Sequence, residues 1–167
     1  MANKVTRITD KRLNFCNIYT VQIKTELYGF KHNTDPSCFT KFSELYSNDI
    51  KTTPLVNSPT ARGYPGLIPF KDSFIFVSGG NDPMSYAEKA SVDCYDIANQ
   101  SWLQAPEMNT ARRSHSGCSL GDSVYTFCGY NKTDEWLNSI ERLNANYYVN
   151  GSRNIVWITI TIVAGTL

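Results

Sequence analysis

A stretch of this chain repeats itself after 50 residues, and no other feature limits its possible folds so strongly. Thr60, Ala61, Arg62, Asp72, Ser73, Gly79 and Asn81 recur as Thr110, Ala111, Arg112, Asp122, Ser123, Gly129 and Asn131. These are seven identities in an ungapped window of 22, where residue usage alone supplies roughly one or two. A repeat near this length indicates a supersecondary unit that buries its apolar face against copies of itself.

Strand patterning fills each copy in the same order. Phe74 to Gly80 and Val124 to Gly129 are short β-rich apolar runs bounded by turn residues. Each follows a tight turn, Lys71-Asp72 or Gly121-Asp122. Weaker strands are expected upstream, at Tyr64 to Phe70 and His115 to Leu120. Downstream, after the polar loops Asn81 to Lys89 and Asn131 to Asn138, Ser91 to Ile97 and Ser139 to Leu143 alternate at period two, the mark of a half-buried strand. A fourth strand is expected from Trp102 in the first copy and around Trp157 in the second. The reading is an all-β chain of four-stranded antiparallel sheets.

In order along the first copy come Gly79-Gly80, then Tyr95, then Trp102 seven positions later. With the 50-residue period this resembles the kelch repeat, the unit of kelch-type β-propellers, from about Thr60 to Ile162. The resemblance implies a partial kelch-type propeller. Residues 59–108 form one repeat and 109–167 a divergent second, while 1–58 form an N-terminal β-segment or a degenerate preceding blade. In that first part Asn17 to Ile23 is strand-like and Phe42 to Tyr46 resembles the end of an earlier unit. The motif is packing chemistry. Glycines let the chain reverse tightly, and the Tyr and Trp fill the wedge between radial sheets.

The second copy departs from the pattern. Tyr130 stands at the second glycine, Leu143 at the tyrosine, and Trp157 follows 14 positions later, around an insertion, Tyr147 to Ser152, expected to lengthen a loop. A left-handed Tyr130 would cost roughly 1 to 2 kcal/mol, so a rearranged turn is expected there.

Composition excludes several function classes. Sixteen Lys and Arg against 15 Asp and Glu give no field to attract nucleic acid or an anionic membrane. No apolar segment of signal-peptide type follows Met1, so the expected compartment is the cytoplasm. Ile155 to Ala164 is too short for a bilayer span and reads as a strand. Five cysteines without a Cys-x-x-Cys pair are read as reduced apolar residues. With only His32 and His115, no metal site or other cofactor is expected. Ser114 and His115 are strand neighbours pointing to opposite faces, with no acidic orienter, so no catalytic pair is expected.

The remaining candidates are loop residues. Arg112, Arg113 and His115 cluster between two units, and Asn81, Asp82 and Asn131 open the loops after the inner strands. One reading has Arg112, like Arg62, satisfying backbone carbonyls at the blade junction. The other has this group binding an anionic peptide. The resemblance implies a non-catalytic module that presents the loops Asn81 to Lys89, Pro106 to Arg113 and Asn131 to Asn138 to a protein partner. The alternatives are a ubiquitin-ligase substrate adaptor, although no BTB segment is visible, or a fragment of a propeller enzyme acting on sugars. Too few blades for a ring imply a fragment, or another chain that completes it.

Overall fold

Short β-rich runs punctuated by turn residues fold here into three four-stranded antiparallel meanders. The computed structural model describes residues 18–31, 37–43, 51–152 and 154–161. The first sheet contains β1 (Ile18–Ile23), β2 (Glu26–Lys31), β3 (Phe39–Ser43) and β4 (Lys51–Pro54). The second contains β5 (Gly66–Phe70), β6 (Phe74–Ser78), β7 (Val92–Asp96) and β8 (Ser101–Ala105). The third begins with β9 (Ser116–Leu120) and β10 (Ser123–Phe127). A small hairpin of β11 (Tyr130–Asn131) and β12 (Glu135–Trp136) follows, then β13 (Ser139–Leu143), the helical turn α1 (Ala145–Val149) and β14 (Ile158–Thr161). Each sheet is a simple meander, so chain order equals strand order. β1 to β4 make a four-stranded sheet although no tryptophan or Gly-Gly marks that part of the sequence. Asn17, residues 44–46 and Ile162, parts of the expected strands, lie outside the described residues.

The sheets stack face to face, with β1 beside β5 and β5 beside β9. Alternation along the middle sheet sends side chains both ways. Leu67, Ile75, Val77 and Tyr95 pack with Val21, Phe30 and Phe39 of the first sheet. Ile68, Phe70, Phe76 and Cys94 pack with Val124, Leu143 and Trp157 of the third. Two buried faces explain why β5 is buried at every position, whereas β9 alternates between exposed and half-buried residues. Burial also pushes the Cys94 thiol above its usual pKa, so it stays a protonated apolar group.

The aromatic residues lock neighbouring sheets together. Tyr95 and Trp102 lie 4.9 Å apart between ring centroids, and Phe39 of the first sheet sits 4.9 Å from Tyr95 and 5.0 Å from Trp102. Both tryptophans also act through their N–H. Trp102 donates to the Val56 carbonyl at 2.8 Å and Trp157 to the Pro106 carbonyl at 2.8 Å, each acceptor lying just beyond the outer strand of the preceding sheet.

The 50-residue period does not persist through the whole unit. β5 and β9 keep it, but the first hairpin pairs Phe70 with Phe74 across a three-residue loop, while the second pairs Leu120 with Ser123 across two. From the shorter loop through Asp82 and Asn131 equivalent positions lie 49 apart, and from Ser91 and Ser139 onward they lie 48 apart. Gly79 and Gly80, at φ +57° and +88°, therefore match Cys128 and Gly129, at +58° and +98°. This corrects the placement of Tyr130 at the second glycine. Gly129 holds that place, Cys128 takes the first, and Tyr130 is absent from the left-handed residues.

The insertion before Trp157 is also more than a lengthened loop. Asn144 caps α1 by accepting the Tyr147 N–H at 3.2 Å, and Tyr148 is buried in the wedge between the second and third sheets. Its ring lies 5.9 Å from Phe76 and its hydroxyl donates to the Gln104 carbonyl at 2.8 Å. Leu143, at the position of Tyr95, is smaller, and Tyr148 supplies the missing aromatic ring to the same cluster.

Candidate functional site: the loop face

The chain enters the second and the third sheet through a buried arginine. Arg62 donates to the carbonyls of Gly79 at 2.7 Å and Ser91 at 2.8 Å, and pairs with Asp93 at 2.6 Å. Arg112 repeats this with Cys128 at 2.8 Å, Ser139 at 3.2 Å and Glu141 at 2.7 Å. Both guanidinium side chains are fully buried. Burial pulls the Arg62 pKa down and Asp93 opposes it, and the fork geometry satisfies carbonyls where the inner strand leaves the sheet. Of the two sequence readings, the junction role is what the geometry shows. Arg112 is not a surface group.

The clamps fix the ends of three loops at one edge of the sheets. The Arg112 carbonyl accepts the Gly80 N–H at 2.8 Å, and its own N–H donates to the Lys89 carbonyl at 3.1 Å. His115 is buried behind them at 8% exposure, its Nε2 2.8 Å from the Ser78 hydroxyl. Burial, reinforced by the Arg112 and Arg62 charges, lowers its pKa to about 3, so the ring is neutral. Space around it is tight. A Cβ at Gly66 would come within 2.5 Å of its Nε2, and one at Gly79 within 2.8 Å of its Cε1.

The loops carry matching turns. Asp82 accepts the N–H groups of Met84 and Ser85 at 3.0 Å each and pairs with Lys89 at 3.0 Å. The Ser85 N–H, then Lys89 and the Met84 N–H, hold the Asp82 carboxyl well below its usual range. Asn131 does the same one unit later, accepting Thr133 N–H at 3.0 Å and Asp134 N–H at 2.6 Å while donating to the Ala111 carbonyl at 3.1 Å. Asn131 thus corresponds to Asp82. Asn81, buried, pairs its backbone with Gly63 in both directions, at 2.9 and 2.8 Å.

Of the six loop candidates, Asn81, Arg112, His115 and Asn131 are buried and build the frame. Asp82 and Arg113 reach the surface already engaged. Arg113 donates to Glu88 at 3.1 Å, lies over the Tyr130 ring at 4.8 Å, and exchanges backbone hydrogen bonds with Tyr130 at 3.0 Å each way. One side chain thus joins loops 81–89, 106–113 and 130–138. Within the group Arg112, Arg113 and His115, Arg112 and His115 are buried, and Arg113 is partly exposed and paired with Glu88.

The exposed apolar residues on the same loops are Met84 at 90%, Tyr86 at 65% and Trp136 at 78%. Trp136 packs against Tyr130 edge to face, 5.6 Å and 75°. None of the three belongs to the 50-residue repeat or carries a charge. Their sequence signal is the lone tryptophan in the mostly polar stretch Asn131 to Asn138.

No protein-family model matches the chain. It is 40% identical over 82 residues to Kelch-like protein 36 of Bos taurus, covering 49% of this chain and 12% of that protein. Kelch-like protein 36 of Rattus norvegicus and of Mus musculus are each 39% identical over 82 residues, 49% of this chain and 13% of theirs. The chain thus matches about an eighth of these relatives' length. The solved structure of YjhT superimposes with a TM-score of 0.62 at 14% identity, over 81% of this chain and 48% of that one. The likeness to YjhT concerns fold alone. With three meander sheets, two Arg clamps and two wedge tryptophans in place, the chain has the fold of a partial β-propeller of kelch type and is similar in sequence to Kelch-like protein 36 over half its length.

Proposed function

We propose that the chain is a non-catalytic protein-interaction module whose working surface is the edge formed by loops 81–89, 106–113 and 130–138. The observation that carries this is Arg113. Through one ion pair, one ring contact and two backbone bonds it makes three loops from two units into one ordered surface. Ordered loops lose little entropy on binding, and exposed Trp, Tyr and Met are enriched where proteins meet. Its setting on this reading is the cytoplasm. Among the described residues no helix is long and apolar enough to cross a membrane.

Cross-linking mass spectrometry on the full chain, incubated in cell extract, tests the reading. A variant carrying Met84→Ala, Tyr86→Ala and Trp136→Ala is expected to lose the wild-type protein cross-links. A variant at the opposite hairpin, Lys71→Ala, is expected to retain them. Equal loss in both, or in neither, would move the surface elsewhere.

A second reading has its own observation. Leu120, Ile158 and Ile160 are exposed on the third sheet, whose middle-sheet counterpart is covered. We infer that a further blade, in the same or another chain, covers this sheet. Light scattering that shows a concentration-independent monomer would oppose supply by another copy of this chain.

A further inference from the structure

Tyr130 and Trp136 meet at nearly a right angle, 75°, and form a notch open to solvent. We infer that this notch docks an extended proline-rich segment with a basic residue beside its prolines. This rests on the loop edge being a protein-binding surface, and it names what kind of segment binds there.

Four features of the notch support that occupant. First, its rings are held in place before any partner arrives. Tyr130 pairs with Trp136 across the hairpin, and Asn131 braces the loop between them from both ends of its side chain. Second, Glu135, immediately before Trp136, adopts φ +58°, a left-handed conformation that is unfavourable in a residue with a Cβ. Strain of that kind persists where the surroundings enforce it, and it lies directly before the exposed Trp136. Third, Arg113 already covers a face of Tyr130, so the cation site of this ring is taken from within. An apolar pyrrolidine ring remains the better fit for the open corner. Fourth, the Trp136 indole N–H makes no hydrogen bond among the described residues. A polyproline II segment offers carbonyls to such a donor because its backbone forms no internal hydrogen bonds, and aromatic-lined surfaces recognise it this way.

Charge selects the flank. Arg113 is paired with Glu88 and Lys89 with Asp82, which leaves Asp134 and Glu135 exposed beside the notch with Lys132 as the nearby cation in sequence. The balance at this corner is acidic, and it favours Arg or Lys in the bound segment over Asp or Glu.

The experiment uses the full 167-residue chain, labelled with ¹⁵N, and the peptide acetyl-Pro-Pro-Leu-Pro-Pro-Arg-amide. The indole N–H groups of Trp102 and Trp157 are bonded internally, so the Trp136 signal alone is expected to move among the three tryptophans, and to saturate. Trp136→Ala, at an exposed position away from both core clusters, is expected to weaken binding at least about tenfold. Replacing the prolines by alanine is expected to abolish binding, and replacing the arginine by glutamate to weaken it about threefold or more at low salt. A Trp136 signal that stays still at millimolar peptide, or moves equally with the alanine peptide, overturns the inference. So does Trp136→Ala binding as tightly as the wild type. If the Trp136 signal does not move while the triple loop variant still loses its cross-links, the interaction edge stands and the proline-rich occupant falls.

Discussion

Arg112 meets Glu141 at 2.7 Å with both side chains fully buried. The carboxylate is used on both oxygens, because it also accepts the N–H groups of Asn109 at 2.6 Å and Thr110 at 3.0 Å. An ion pair this deep resists simple deletion. Removing Glu141 would leave a buried guanidinium without its counter-charge and two N–H donors without an acceptor. Glu141→Ala should therefore destabilise the chain by about 3 to 5 kcal/mol, read from urea unfolding. Replacing both partners with apolar residues, Arg112→Met with Glu141→Leu, should cost less than the single change. A single variant within about 1 kcal/mol of wild type would show that the clamp does not hold the sheet.

Cys128 is the left-handed residue that stands where the middle sheet has Gly79. There a Cβ would come within 2.3 Å of the Arg112 carbonyl, because the next sheet packs on that glycine. Cys128 itself is exposed, so its Cβ is sterically free, and only the backbone conformation is unfavourable. Cys128→Gly removes that strain but adds chain entropy to the unfolded state, so the net expectation is a gain of up to about 1 kcal/mol. Gly129→Ala, by contrast, would place a Cβ 2.8 Å from both the Arg113 carbonyl and His115 Cβ at φ +98°, and should destabilise strongly. Thermal unfolding of both variants checks the pair. A Cys128→Gly protein less stable than the parent would mean that the thiol makes a contact the conformation argument ignores.

The same two positions show where the sequence was informative and where it was not. Period, strands and wedge aromatics were legible because each leaves a periodic or compositional trace, as at Phe74 to Ser78 and Trp102. The junction role of Arg112 was legible too, through its repetition of Arg62. The one-residue slip at the hairpin was not. Asp72-Ser73 aligns with Asp122-Ser123 letter for letter, while only strand pairing reveals that Ser73 closes a loop and Ser123 begins β10. That slip misplaced Tyr130 by one position. Nor could a local pattern show that Tyr148 replaces the bulk lost at Leu143, because the compensation is made in space across a helix. The loops of the proposed interaction edge are marked in the sequence, but its exposed aromatics are not, since a tryptophan in a propeller sequence reads first as wedge packing.

His115 gives the chain a specific acid sensitivity. Its folded pKa, about 3, lies below the ordinary value of 6.5, so the unfolded state binds the proton more readily. Stability from this group is therefore complete above pH 6.5 and is lost as the pH falls toward 3. The ring faces Ser78, lies in the field of Arg112 and Arg62, and is enclosed by Gly66, Gly79 and Gly129, which leaves no room to relax around an imidazolium. Urea midpoints measured from pH 7 to 4 should fall more steeply in wild type than in His115→Gln, whose side chain does not titrate. Parallel slopes would assign the acid sensitivity to other groups.

Trp157 joins two kinds of contact in one side chain, and substitution can separate them. Its ring belongs to the cluster between the second and third sheets, and its N–H is bonded to the Pro106 carbonyl at 2.8 Å. Trp157→Phe keeps most of the ring but leaves that carbonyl unpaired, which should cost about 1 kcal/mol plus a small packing loss. Trp157→Ala opens a cavity between the sheets and should cost about 3 to 5 kcal/mol. Because the ring bridges two sheets, the alanine variant should also expose amides of β14 to hydrogen exchange before those of β6, which is covered on both sides. An alanine variant that loses under about 1 kcal/mol, or exchange that rises equally in both strands, would contradict the role of this tryptophan as the wedge between the last two sheets.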